Sequence, residues 1–239
     1  MTNYEISGDS IRVPQRETAR YLGYRGIVPD ERIADRIEFC IRQLQAKCRP
    51  RAVWESYPLQ MTPVPTRETK EPHDGSPAAV LFCIQNMSFV SRSLARNLRS
   101  CTQVALMAAT IGTEADFLIR RAEAANMSDA AIYQAAGAAM AEAWCDEVNR
   151  RINRAMGEQG FFARPRFSPG YGDVPLSLQK DFSSLLRMPI TCGISLTDTL
   201  LMIPSKSVTA FIGFAENEEP CVLEGCEVCK KQDSCLYKR

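Results

Sequence analysis

One histidine, His73, stands in the whole 239-residue chain, inside the polar, proline-rich stretch PVPTRETKEPHDGSP at 63–77. Catalysis by a Ser–His or Cys–His pair needs an imidazole held against a nucleophile, so a hydrolase of that kind is disfavoured. The turn-forming neighbours Glu71, Pro72, Asp74 and Gly75 assign His73 to an exposed loop. Charge of one sign is missing too. Lys and Arg number 29 against 28 Asp and Glu, a net charge of +1, which leaves no cationic excess for a phosphate backbone and argues against nucleic-acid binding as the main activity. No apolar run approaches the roughly eighteen residues that span a bilayer, and Met1 to Arg12 lacks the apolar stretch of a secretion signal. A cytoplasmic protein with no membrane partner is the expectation. A Gly-rich phosphate fingerprint, a nucleophile elbow, an internal repeat and a low-complexity tract are also absent.

Cysteine, by contrast, is plentiful and unevenly placed: four of the ten, Cys221, Cys226, Cys229 and Cys235, fall in the last nineteen residues as C-x4-C-x2-C-x5-C. Thiolates persist near neutral pH only with a metal or a low-pKa setting, and sulfurs this close in sequence can converge on one ion or cluster. Zinc and an iron–sulfur cluster both accept four thiolates, and the spacing does not choose between them; a disulfide or redox switch is the other use of such thiols. The remaining six, Cys40, Cys48, Cys83, Cys101, Cys145 and Cys192, are scattered among mostly apolar neighbours and read as small core residues.

Periodicity predicts an α+β chain with one main domain. Pro14 opens a short helix through Arg20, and Ile33, Ile37, Cys40, Ile41 and Leu44 recur at helical spacing after Asp30, so residues 1–65 read as a helical N-terminal segment. Residues 66–77 read as a linker, 78–215 as the main body and 216–239 as the metal-binding tail. Two apolar runs, Ala79–Ile84 and Val104–Ile111, predict buried strands with a helix at Ser91–Arg99 between them. Thr113 and Ser128 are expected to cap two helices, the second long and alanine-rich, from Asp129 to about Met156. An amphipathic helix over Leu176–Met188 and strands at Ile190–Leu196, Leu200–Ile203 and Val208–Phe214 complete a mixed or antiparallel sheet packed by helices.

Two clusters carry chemistry. Glu142 follows a face of alanines one and two turns upstream on the long helix, so its carboxylate either turns to solvent, pairs with an arginine or meets a ligand. Arg166, Ser168, Pro169, Gly170, Tyr171 and Asp173 surround a Pro-Gly-Tyr-Gly turn, which brings backbone close to a ligand or simply turns the chain. In a binding role, Arg166 suits bidentate pairing with a carboxylate, and Tyr171 offers a ring face to a cation or planar base.

Together and in order, Thr110-Ile111-Gly112, Ala141-Glu142-Ala143-Trp144 and Arg166-Phe167-Ser168-Pro169-Gly170-Tyr171 resemble the S-adenosylmethionine-binding reactivation (activation) domain of cobalamin-dependent methionine synthase. The likeness covers about Val104 to Phe214, with Pro204–Phe214 similar to the family's P-x-x-S-V strand. It implies that Glu142, Arg166, Ser168, Gly170 and Tyr171 bind S-adenosylmethionine, and that no side chain is catalytic. It also implies a function in methionine biosynthesis, the reductive methylation of cob(II)alamin to methylcobalamin. The chain departs from the family at Gly172-Asp173-Val174-Pro175, which replaces P-A-C-P-x-H, and residues 1–65 offer no counterpart to an N-terminal family aspartate. The D-x-H-x-x-G pattern of a cobalamin ligand is missing, so cobalamin is expected on a partner, a corrinoid-binding methyltransferase subunit, with an electron-donor protein alongside. A metal protein, iron–sulfur or zinc, that activates or scaffolds a corrinoid protein without S-adenosylmethionine is the alternative.

Overall fold

The computed structural model describes residues 1–64 and 78–218 and places the apolar run after Thr102 in the middle of a five-stranded antiparallel sheet. In chain order come β1 (Thr2–Glu5), α1 (Gln15–Tyr21), α2 (Glu31–Lys47), β2 (Arg51–Pro58), β3 (Gln60–Pro63), β4 (Val80–Ile84), β5 (Met87–Ser91) and α3 (Ser93–Asn97). Then follow β6 (Gln103–Thr110), α4 (Glu114–Ala125), α5 (Met127–Gly157), β7 (Phe162–Ala163), α6 (Gln179–Leu185), α7 (Met188–Thr191), β8 (Ser195–Leu196), β9 (Met202–Ile203) and β10 (Ser207–Ala215). The main sheet runs β1-β2-β6-β10-β7, β3-β4-β5 forms a separate meander, and β8 pairs with β9.

Alternation along β6 divides the core. Ala105, Met107 and Ala109 face α1, α2, α4 and α5, whereas Val104, Leu106 and Ala108 face Phe82, Phe89, Phe182 and Leu186 on the opposite side. A strand covered on both faces is apolar at every position, which is why its run was conspicuous in the sequence. The same double burial hid β2, whose Ala52, Val53 and Trp54 are all buried and show no polar alternation. Residues 1–65 therefore hold three strands besides the two expected helices, and β2 lies between β1 and β6 in the main sheet.

The long helix α5 starts two residues earlier than expected and is capped by Asn126, whose side chain accepts from Ser128 N at 3.1 Å; Ser128 is inside the helix. Its small residues let other chain segments approach. A Cβ added at Gly137 would sit 3.3 Å from Lys206 Cε, and Ala136 and Ala139 are buried in the helical core layer. Trp144 Nε1 donates to Arg51 O at 3.0 Å, locking the middle of α5 against β2.

Beyond Pro175 the chain departs from the expected helix and strands. A 3-10 turn, Leu176–Leu178, precedes α6, and the chain reverses at Arg187 with φ +50° before Pro189 enters α7. The expected strand Ile190–Leu196 thus begins in helix at Ile190 and Thr191, with only Ser195–Leu196 extended, and the strand expected over Leu200–Ile203 is limited to Met202–Ile203. Its branched residues had suggested a strand, but the left-handed turn and Pro189 set up helical geometry. Of the six scattered cysteines five are buried and Cys83 is half-buried. His73 and the four tail cysteines lie outside the described residues.

Candidate ligand-binding cleft

Backbone pairing aims Arg166 before any side chain does. After β7 the chain continues alongside β10, with Arg164 N donating to Gly213 O at 2.8 Å and Phe167 exchanging two bonds with Phe211 at 2.9 and 2.8 Å. Arg166 lies between these ties, and its guanidinium reaches α5. Nη2 donates to Asp146 Oδ1 at 2.8 Å and lies 3.5 Å from Glu142 Oε2. Glu142 and Asp146 are four residues apart on one helix face, so they make a carboxylate pair that braces a single guanidinium. Nη1 of Arg166, by contrast, is buried without a hydrogen-bond partner among the described residues.

The turn after Arg166 is shaped by glycine and fixed by an aspartate. Gly170 has φ +89° and Gly172 φ +56°, both left-handed, and a Cβ at Gly172 would sit 2.5 Å from Ser93 Oγ. Asp173 accepts from Ser91 Oγ at 2.5 Å, Arg92 N at 2.7 Å and Ser93 N at 3.0 Å, tying the turn to the start of α3. Burial opposes ionisation of Asp173, but those three hydrogen bonds prevail and hold its carboxyl down at about 2. Val174, buried beneath, closes the turn by accepting from Gly170 N at 2.9 Å.

Between α5, this turn, α6 and the edge of β10 lies a cleft of about 540 Å³, a size that suits a small organic ligand. Glu142, Arg166, Ser168, Pro169 and Tyr171 line it together with Phe167, Gln179, Met202, Ser207, Val208 and Thr209. Four of the five residues singled out in the sequence therefore share one cavity. Gly170 is not in the lining, and its N–H is engaged with Val174. Glu142 stands at the rim, its side chain 53% exposed, whereas that of Arg166 is 22% exposed. Tyr171, also in the lining, is 69% exposed.

Sequence reasoning missed Asp146 and Gln179. The first carried a readable signal, since it follows Glu142 by one helical turn. The second did not, because its burial depends on the 3-10 turn that starts α6. Cys145, fully buried on α5 beside Glu142 and Asp146, has its thiol pushed up to about 12 by burial and so is not a nucleophile at neutral pH. Among the described residues no group of three His, Cys, Asp or Glu side chains is arranged to hold a metal ion. No helix among them is long and apolar enough to cross a membrane.

No family model matches the chain, and no curated protein matches it. Among solved structures, the crystal structure of the MetH reactivation domain bound to AdoHcy is similar, with a TM-score of 0.58 at 17% sequence identity over 91% of this chain and 79% of that one. Coverage that wide takes in most of residues 1–65, where the sequence motifs offered no alignment. The similarity is one of fold.

Proposed function

We propose that the cleft binds S-adenosylmethionine and that the protein is the reactivation component of a cobalamin-dependent methionine synthase or related corrinoid methyltransferase. One observation carries this reading: Arg166 lines the cleft with one guanidinium nitrogen held by Asp146 and Glu142 and the other buried without a partner among the described residues. A guanidinium braced in that way is preorganised for a carboxylate, and the amino-acid end of S-adenosylmethionine carries one. Charge points the same way. Two carboxylates surround one guanidinium, and S-adenosylmethionine, with a sulfonium and an ammonium against one carboxylate, is a net cation. The similar structure, of a domain bound to AdoHcy, the demethylated form of that donor, supports the same ligand class.

In this reading Arg166 holds the ligand carboxylate, Glu142 favours the cationic end, Ser168 offers polar contact, and Gly170 gives the turn its shape. Tyr171 covers the ligand from the mouth. The corrinoid of a partner chain supplies the metal centre that accepts the methyl group. The residues here bind and orient the donor and keep water from it, a proximity and electrostatic role that needs no attacking side chain. Calorimetric titration with S-adenosylmethionine and AdoHcy tests the reading: saturable one-site binding that Arg166→Ala weakens supports it, and no binding of either compound refutes it.

The four-cysteine tail favours a second reading, a metal protein that delivers electrons or docks to a corrinoid protein without using S-adenosylmethionine. Metal analysis and absorption spectra of anaerobically purified protein, run beside the titration, separate the two. Bound iron or zinc together with no binding of S-adenosylmethionine selects the second.

A further inference from the structure

Five buried side-chain polar atoms have no hydrogen-bond partner among the described residues: Asn97 Oδ1, Asn149 Oδ1, Asn153 Oδ1, Arg166 Nη1 and Gln179 Oε1. Of the five residues only Arg166 and Gln179 line the cleft, so one unpaired donor and one unpaired acceptor belong to side chains of its wall. Gln179 is 5% exposed, the first residue of α6, and sits between the buried Leu178 and Phe182. An amide carbonyl left buried and unpaired is destabilising, and the large majority of such groups in folded proteins find a partner.

We propose that Gln179 is a ligand-binding residue whose side-chain carbonyl accepts a hydrogen bond from an N–H or O–H of the molecule in the cleft. This rests on the S-adenosylmethionine reading and extends it: the ligand completes Arg166 with an acceptor and Gln179 with a donor. The donors available on that ligand are the α-ammonium, the ribose hydroxyls and the adenine amino group. Discrimination follows from the geometry. A site holding a buried, unpaired acceptor penalises any analogue that lacks the donor.

The test uses the full chain, with AdoHcy and adenosine as probes and thermal melting of the ligand-free protein as the second readout. Gln179→Met is expected to weaken AdoHcy binding about tenfold while the ligand-free melting temperature stays level or rises, because the unpaired carbonyl is gone. Gln179→Glu, which keeps the acceptor, is expected to bind within a few-fold of wild type. A parallel loss for adenosine assigns the donor to the nucleoside, and a loss confined to AdoHcy assigns it to the ammonium. Unchanged AdoHcy affinity in Gln179→Met overturns the proposal, as does weaker binding accompanied by an equally lowered melting temperature in the ligand-free protein. Wild-type protein that binds neither probe overturns the proposed function and this inference with it.

Discussion

At the scale of single residues one guanidinium, that of Arg166, is shared between the helix carboxylates and the cleft wall. Arg166 is bonded on one side by Asp146 and faced by Glu142, and on the other side its Nη1 is buried with no partner among the described residues. Arg166→Ala removes a hydrogen bond to a charged ligand group, worth about 1.5–3 kcal/mol, so AdoHcy affinity should fall roughly 10–100-fold in calorimetry. Thermal stability should change little, because the ion pairs lost face solvent. Glu142→Gln tests the charge argument. It should lower affinity for cationic S-adenosylmethionine a few-fold and leave AdoHcy binding nearly unchanged, an effect that shrinks as salt is raised. Glu142 and Arg166 were legible in the sequence because each sits in a distinctive local setting, an alanine-lined helix and a Pro-Gly turn. Gln179 was not, because nothing in the sequence around it marks a side chain whose carbonyl the fold buries without a partner among the described residues.

At the scale of elements, the turn after Arg166 is held by Asp173 rather than by its glycines alone. With the folded carboxyl near 2, below its ordinary range of about 4, Asp173 adds stability that is full above that ordinary range and is lost as pH falls through about 2. Asp173→Asn should therefore melt lower than wild type at neutral pH, with the difference closing in acid, and it should weaken AdoHcy binding by loosening the turn. Equal melting temperatures at pH 7 would show that the three hydrogen bonds do not anchor it. On α5, Trp144→Phe leaves Arg51 O without its indole partner and should cost about 1–2 kcal/mol, measured by urea unfolding. The elements themselves were unevenly legible. The continuous apolar run of β6 and the helical spacing in α2 and α5 stood out, whereas β2 was hidden because burial on both faces erases alternation, and α7 was hidden by residues that favour strands.

At the scale of the whole molecule, the five-stranded sheet separates two cores, and the cleft opens where the sheet's β10 side meets α5 and α6. Arg166 follows Asp146 by 20 residues, and the turn meets the α5 carboxylates because β7 and the segment after it run back along β10, which comes from much later in the chain. That convergence on β10 is the part of the cleft no local pattern encodes. The cysteine tail is a separate matter. Replacing Cys221, Cys226, Cys229 and Cys235 together by serine should abolish any bound zinc or iron in metal analysis and leave AdoHcy affinity unchanged, because the cleft is lined by residues 142–209.

The most direct measurement is a crystal structure of the protein grown with AdoHcy. The ligand's carboxylate is expected against the Arg166 guanidinium, within hydrogen-bond distance and inside the cleft between α5 and the Pro-Gly turn. AdoHcy bound elsewhere, or in the cleft with its carboxylate away from Arg166, would contradict that expectation.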